Sequence, residues 1–216
     1  MSKICFLGDS ITQGTGASSI NKRFSALTAN MLNAEELNFG VGGTRIAKQT
    51  VTHCTPYFDE QFIVRAKKMP DNVDLVIVFG GTNDWGHGDA PIGNKEDNTR
   101  DTFYGAAREL VDYLVHKYPL NKLLFILPLP RWNENDPYGE MHVKKNPSLP
   151  LEGYRQIIIS ILKEYGVRYV SFDKELPAPD SSNGGKYHID NVHPNDNGHR
   201  ILAEALTKYI KDNKLL

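Results

Sequence analysis

Leu75-Val76-Ile77-Val78-Phe79, followed at once by Gly80-Gly81-Thr82-Asn83-Asp84, is an unbroken apolar run that stops on two glycines. Such a run suits a strand buried on both faces, and strands of that kind belong to parallel sheets covered by helices on each side. Working outward, further strands are predicted at Lys3–Leu7, Glu36–Phe39, Lys122–Leu127 and Val167–Phe172, with the quoted one running Asp74–Phe79. Amphipathic stretches separate them. Phe24, Leu27, Thr28, Met31 and Leu32 form one stripe at helical spacing. Phe103, Ala107, Leu110, Val111 and Leu114 form a second, and Tyr154, Ile157, Ile158, Ile161 and Leu162 a third. The last runs Ile201, Leu202, Ala205, Leu206, Tyr209. The alternation predicts an α/β fold with a three-layer α/β/α architecture around five parallel strands.

Composition narrows the function. The chain has 216 residues, 40% hydrophobic and 24% charged, with no compositional break, which predicts one domain over residues 1–216. A formal charge of −1 and the lack of a basic run argue against nucleic acid as a partner. No apolar stretch reaches membrane-spanning length and the first strand is too short for a signal-peptide core, so no stable membrane insertion is expected. The expected location is the cytoplasm, unless a leader has been removed ahead of Met1. Cys5 and Cys54 have no metal or disulfide spacing; both are expected to be reduced, Cys5 within the core.

In open parallel sheets ligands sit beyond the carboxyl ends of the strands, and the polar motifs of this chain fall there. Gly8-Asp9-Ser10-Ile11 follows the first strand, Asn38-Phe39-Gly40-Val41-Gly42-Gly43 the second and Gly81-Thr82-Asn83-Asp84 the third. Asp190-Asn191-Val192-His193-Pro194 precedes the last helix. A serine hydroxyl is a poor nucleophile until an imidazole takes its proton. Ser10, His193 and Asp190 supply the nucleophile, the base and an acid that fixes the base's tautomer. The backbone amides of Ser10 and Gly43 and the side-chain amide of Asn83 are candidate donors to the oxyanion formed by attack on an ester carbonyl.

These four blocks, spread over nearly the whole chain, resemble the SGNH, or GDSL, hydrolase superfamily. The resemblance implies a flavodoxin-like sheet and assigns Ser10 as nucleophile, Asp190 and His193 as its triad partners, and Gly43 and Asn83 as oxyanion donors. Gly43 rather than Gly42 follows from the Asn-x-Gly-x-x-Gly register. It also implies no cofactor and no metal, and a small-molecule or carbohydrate ester as substrate: an esterase, lipase, acyl-thioesterase or carbohydrate deacetylase. Ile11 stands where the name-giving motif has leucine, a change of similar volume. The chain has no Gly-x-Ser-x-Gly elbow.

Other residues carry two readings each. Arg131 is a substrate anchor or an ion-pair partner; Trp85 and Trp132, in two long loops (85–98 and 131–150), are substrate-stacking or loop-anchoring aromatics. Asp9 and Asp84 are read as turn and loop-ordering residues, His188 as a loop residue near the cleft and His199 as helix surface. His53, His87, His116, His142 and His199 lack metal-ligand spacing. The leading expectation is a serine esterase acting on small or accessible carboxylic esters, short-chain acyl or carbohydrate O-acetyl. The alternatives are a lysophospholipase or thioesterase of the same family and, from another class, a flavin- or phosphate-binding module using the hydroxyl-rich loop Thr12–Ser19.

Overall fold

A computed structural model describes residues 1–51, 59–144, 147–180 and 184–216. His53 and Cys54, with parts of the Arg131–Pro150 and Pro177–Gly185 loops, lie outside the described residues.

Five strands form one wholly parallel sheet: β1 (Ser2–Gly8), β2 (Ala34–Gly40), β3 (Leu75–Phe79), β4 (Leu123–Ile126) and β5 (Arg168–Val170), in the order β2-β1-β3-β4-β5. That is the flavodoxin-like order, with its topological switch point between β1 and β3. The four long helices fall where the stripes predict: α2 (Phe24–Met31), α5 (Phe103–Lys117), α6 (Leu151–Glu164) and α8 (Asp196–Asp212). Shorter helices are α1 (Ser10–Gln13), α3 (Phe62–Ala66), α4 (Thr82–Gly86) and α7 (Gly184–Tyr187).

Side-chain alternation along the strands sorts the core into two layers. Cys5 and Leu7 of β1 and Val76 and Val78 of β3 pack with Phe62 of α3, Leu110 of α5 and Ile161 of α6. Ile4, Phe6, Leu75 and Ile77 pack on the other face with Phe24 of α2 and Leu202, Leu206 and Ile210 of α8. Every residue of β3 is buried, as its unbroken apolar run requires. Burying an aliphatic or aromatic side chain of this size contributes about 1.5–3 kcal/mol. Cys5 is fully buried and burial pushes its thiol up to about 12, against the opposing charge of Lys117. Among the described residues no helix is long and apolar enough to cross a membrane.

One reading is corrected. His199 is not on the surface: it is fully buried, its Nδ1 accepting from the Phe24 backbone N–H at 3.2 Å and its Nε2 3.1 Å from the Thr15 carbonyl. The buried face of α8 is Gly198, His199, Leu202, Ala203, Leu206, Thr207 and Ile210, one position round from the predicted stripe, and it carries the histidine inward.

Candidate active site

β1 delivers the chain to the sheet edge and glycine lets it turn. A Cβ on Gly8 would lie 2.0 Å from the Thr12 hydroxyl and 2.7 Å from the Phe79 carbonyl, so no larger residue fits. Asp9 then caps α1, its carboxylate accepting from the Ile11 N–H at 3.0 Å, and Ser10 takes the first helical position. From the far end of the chain His193 places Nε2 2.9 Å from Ser10 Oγ. Its Nδ1 lies 2.7 Å from Asp190 Oδ2, while Asp190 Oδ1 accepts from the backbone N–H groups of Val192 and His193, both at 2.7 Å. The Asp190 carboxylate therefore builds the turn that carries His193. Burial raises the Asp190 pKa, but the His193 ring and the two backbone donors outweigh it and hold the carboxyl below the usual range.

The candidate oxyanion donors follow the carboxyl ends of β1, β2 and β3. Ser10 N–H, in the first turn of α1, meets no acceptor among the described residues. The Gly42 N–H donates to Gln13 Oε1 at 2.8 Å, whereas the Gly43 N–H meets no acceptor among the described residues. Gly43 sits at φ 74°, in the left-handed region. Asn83 donates one amide hydrogen to the Thr44 carbonyl at 3.0 Å, which leaves the second available. Asp84 ties the same two segments together by accepting from Ile46 and Ala47 N–H, both at 2.9 Å.

A second tie was not foreseen. Arg65 of α3 is 3% exposed and donates to the carbonyls of Gly8 and Phe39, at the carboxyl ends of β1 and β2, and to Thr44 Oγ1 at 2.7 Å. Its guanidinium also lies over the Phe62 ring. Its only sequence signal is a lone cation inside the apolar Phe62-Ile63-Val64-Arg65-Ala66.

The remaining candidates divide. Trp85 is fully buried, with its indole N–H on the Asp136 carbonyl at 3.0 Å, so a substrate cannot stack on it. Arg131 is 4% exposed and committed to partners within the protein, which removes it as a substrate anchor. Trp132 is 62% exposed and lines a cleft of about 320 Å³ with His188, Ile189, Asp190 and Asn191. His188 itself is buried and bridged to Pro194. In the Thr12–Ser19 loop, Ser18 N–H and Oγ both reach the Asp196 carboxylate, at 2.7 and 2.8 Å, which opposes an incoming phosphate.

A hydroxyl, an imidazole and a carboxylate in line, beside amide donors without acceptors, can perform acyl transfer. The sequence model of the GDSL-like lipase/acylhydrolase family matches residues 6–201. The chain belongs to this family. Members hydrolyse ester bonds, and this chain is such a hydrolase. Among solved structures, a protein from Lactobacillus plantarum shares 26% identity over 98% of this chain and 97% of its own, with a TM-score of 0.80. The lipase/acylhydrolase from Enterococcus faecalis, at 17% identity and TM-score 0.67 over 98% and 96% of the two chains, shares the fold. No curated protein matches the chain.

Asp9 offers a test of the site's electrostatics. Burial raises its carboxyl to about 6, against the Ile11 hydrogen bond and the charges of His193, Arg65 and Arg131. A carboxyl with a folded pKa above its unfolded value of 3.8 binds its proton more tightly when folded. Its contribution to stability is therefore full below the unfolded value and is lost as the pH rises through about 6. Asp9→Asn keeps an oxygen for Ile11 and abolishes this titration. Urea denaturation from pH 3 to 8 should show wild type losing about 3 kcal/mol relative to the variant, most of it between those two pKa values. A difference independent of pH would refute the linkage.

Proposed function

We propose that the chain is a serine esterase that acts through an acyl-enzyme, on small or accessible carboxylic esters with short acyl groups, carbohydrate O-acetyl esters among them. The observation that carries the reading is the continuous chain Ser10 Oγ, His193 Nε2 at 2.9 Å, His193 Nδ1 and Asp190 Oδ2 at 2.7 Å. Ser10 Oγ attacks the ester carbonyl carbon while its proton passes to His193 Nε2. The carbonyl oxygen, now anionic, receives the N–H groups of Ser10 and Gly43 and the free amide hydrogen of Asn83. Measured cases put one such donor at about 3–4 kcal/mol of barrier. His193 then returns the proton to the departing alcohol, leaving Ser10 acylated. Water, deprotonated by His193, attacks the acyl carbon, and His193 then gives that proton to Ser10 Oγ as the bond to the acyl group breaks and the acid leaves.

Support for a small, polar leaving group comes from the 320 Å³ cleft against Asp190, with the exposed face of Trp132 on its wall. Indole faces suit sugar rings. The lysophospholipase and thioesterase readings differ in the acyl length they require.

The test is a p-nitrophenyl ester series from acetyl to decanoyl, with an aryl phosphonate as trap and peptide mapping to locate it. The expected result is a rate maximum at two to four carbons and one equivalent of phosphonate on the peptide carrying Ser10. A maximum at eight or more carbons would replace the short-chain reading with the lipase-like one. Phosphonylation elsewhere would displace Ser10.

A further inference from the structure

We infer that Arg131 is a positioning residue that sets the distance between the general base and the oxyanion donor, an inference that rests on the serine-hydrolase reading above. Three segments that meet at the sheet edge are joined by this one guanidinium. Nε donates to the Asn191 carbonyl at 3.1 Å, between Asp190 and His193 in the chain. Nη1 donates to Thr82 Oγ1 at 2.9 Å, the residue next to Asn83. Nη2 pairs with Glu140, and the guanidinium carbon lies 5.4 Å from the centroid of the Trp85 ring. The side chain is 3% exposed, so it is shielded from solvent competition.

The geometry explains why a cation is buried here. The segment 190–193 packs on the protein through its own turn, through Ser10 and through this arginine. Its turn fixes where Asp190 stands relative to His193, but not where the pair stands relative to Asn83. The planar guanidinium fork holds a carbonyl, a hydroxyl and a carboxylate in fixed, separated directions, whereas a lysine's three donors share one nitrogen and lack that spread. The loop of Arg131 is itself immobilised: its N–H donates to Glu134 at 3.1 Å, and Glu134 also accepts from Arg155 at 3.1 Å. The strut is therefore tied through Glu134 to Arg155 of α6, which also donates to the Pro128 carbonyl, just past β4, at 2.8 Å.

Misplacing a catalytic group by about 1 Å costs on the order of 100-fold in rate, and a strut acts on the chemical step rather than on substrate capture. Arg131→Met and Arg131→Lys should lower kcat for p-nitrophenyl acetate by about 10- to 100-fold, with KM within about threefold of wild type. Thr82→Val, which removes one arm and leaves the charge balanced, should lower kcat by a smaller factor with KM again unmoved. Rates are normalised to the folded fraction from circular dichroism, and Ser10→Ala is run alongside.

A kcat within twofold of wild type in a folded Arg131 variant would overturn the inference, as would a loss carried by KM. If neither Arg131 variant folds, Thr82→Val decides: reduced kcat supports the strut and unchanged kcat removes it. An active Ser10→Ala would strike at the hydrolase reading, whereas an inactive Ser10→Ala beside a fully active Arg131→Lys would strike at the strut alone.

Discussion

Ser10→Ala should give a folded protein whose kcat on p-nitrophenyl acetate is lower by on the order of 10⁵- to 10⁶-fold. The effect is large because in the proposed mechanism this hydroxyl becomes acylated, and among the described residues no other hydroxyl is placed at His193 Nε2. Little stability should go with it. Asp9, not Ser10, caps α1, and among the described residues the hydroxyl makes one hydrogen bond, to His193. A single such bond is worth about 0.5–1.5 kcal/mol net, so melting should shift by a few degrees at most. The variant keeps the backbone N–H at position 10 and the Asn83 amide, so some catalysis from the oxyanion site should survive. Hydrolysis rates and circular dichroism melts on the same preparations provide the check. A folded variant as active as wild type would eliminate Ser10 as the nucleophile.

The sheet is legible because each strand is a short apolar run and each long helix a clean stripe. Leu75–Phe79 is observed within one residue of its predicted start, and the other strands within two residues of their predicted ends. The four-residue and five-residue helices α1, α3 and α4 are not legible, since they are too short for a period of 3.6 to repeat. The candidate triad is legible for a related reason: residues just past strands must converge in a parallel sheet, so sequence order predicts spatial neighbourhood. What supports the site is hidden by burial. Arg65 and Arg131 are 3% and 4% exposed, and a charged side chain read from sequence is assigned to solvent because buried acceptors such as the Gly8, Phe39 and Asn191 carbonyls leave no trace in the sequence. His199 did leave a trace, lying three and seven residues before Leu202 and Leu206 on the buried face. The register favours Gly43 over Gly42, and the Gln13 side chain, which accepts from the Gly42 N–H, supports that proposal.

Asp190→Asn should cost about 10⁴-fold in kcat while leaving the fold intact, by analogy with the same change in other serine hydrolases. The two carboxylate oxygens have separate duties. Oδ1 holds the turn through the Val192 and His193 N–H groups, and an asparagine carbonyl can continue to do so. Oδ2 faces His193 Nδ1 at 2.7 Å, and in the variant that atom becomes an amide donor. Two donors cannot share a hydrogen bond, so Nδ1 must become the acceptor and the proton moves to Nε2. The imidazole then presents a donor to Ser10 Oγ and cannot take its proton. Wild type avoids this because its carboxyl is held below the ordinary range and stays ionised through neutral pH. Asp190→Ala makes the contrasting control, since it removes both the turn acceptor and the tautomer lock. It should lose activity and also thermal stability, whereas Asp190→Asn should lose activity with its melting temperature within a few degrees of wild type. Equal activity of Asp190→Asn and wild type would mean that the carboxylate does no more than shape the turn.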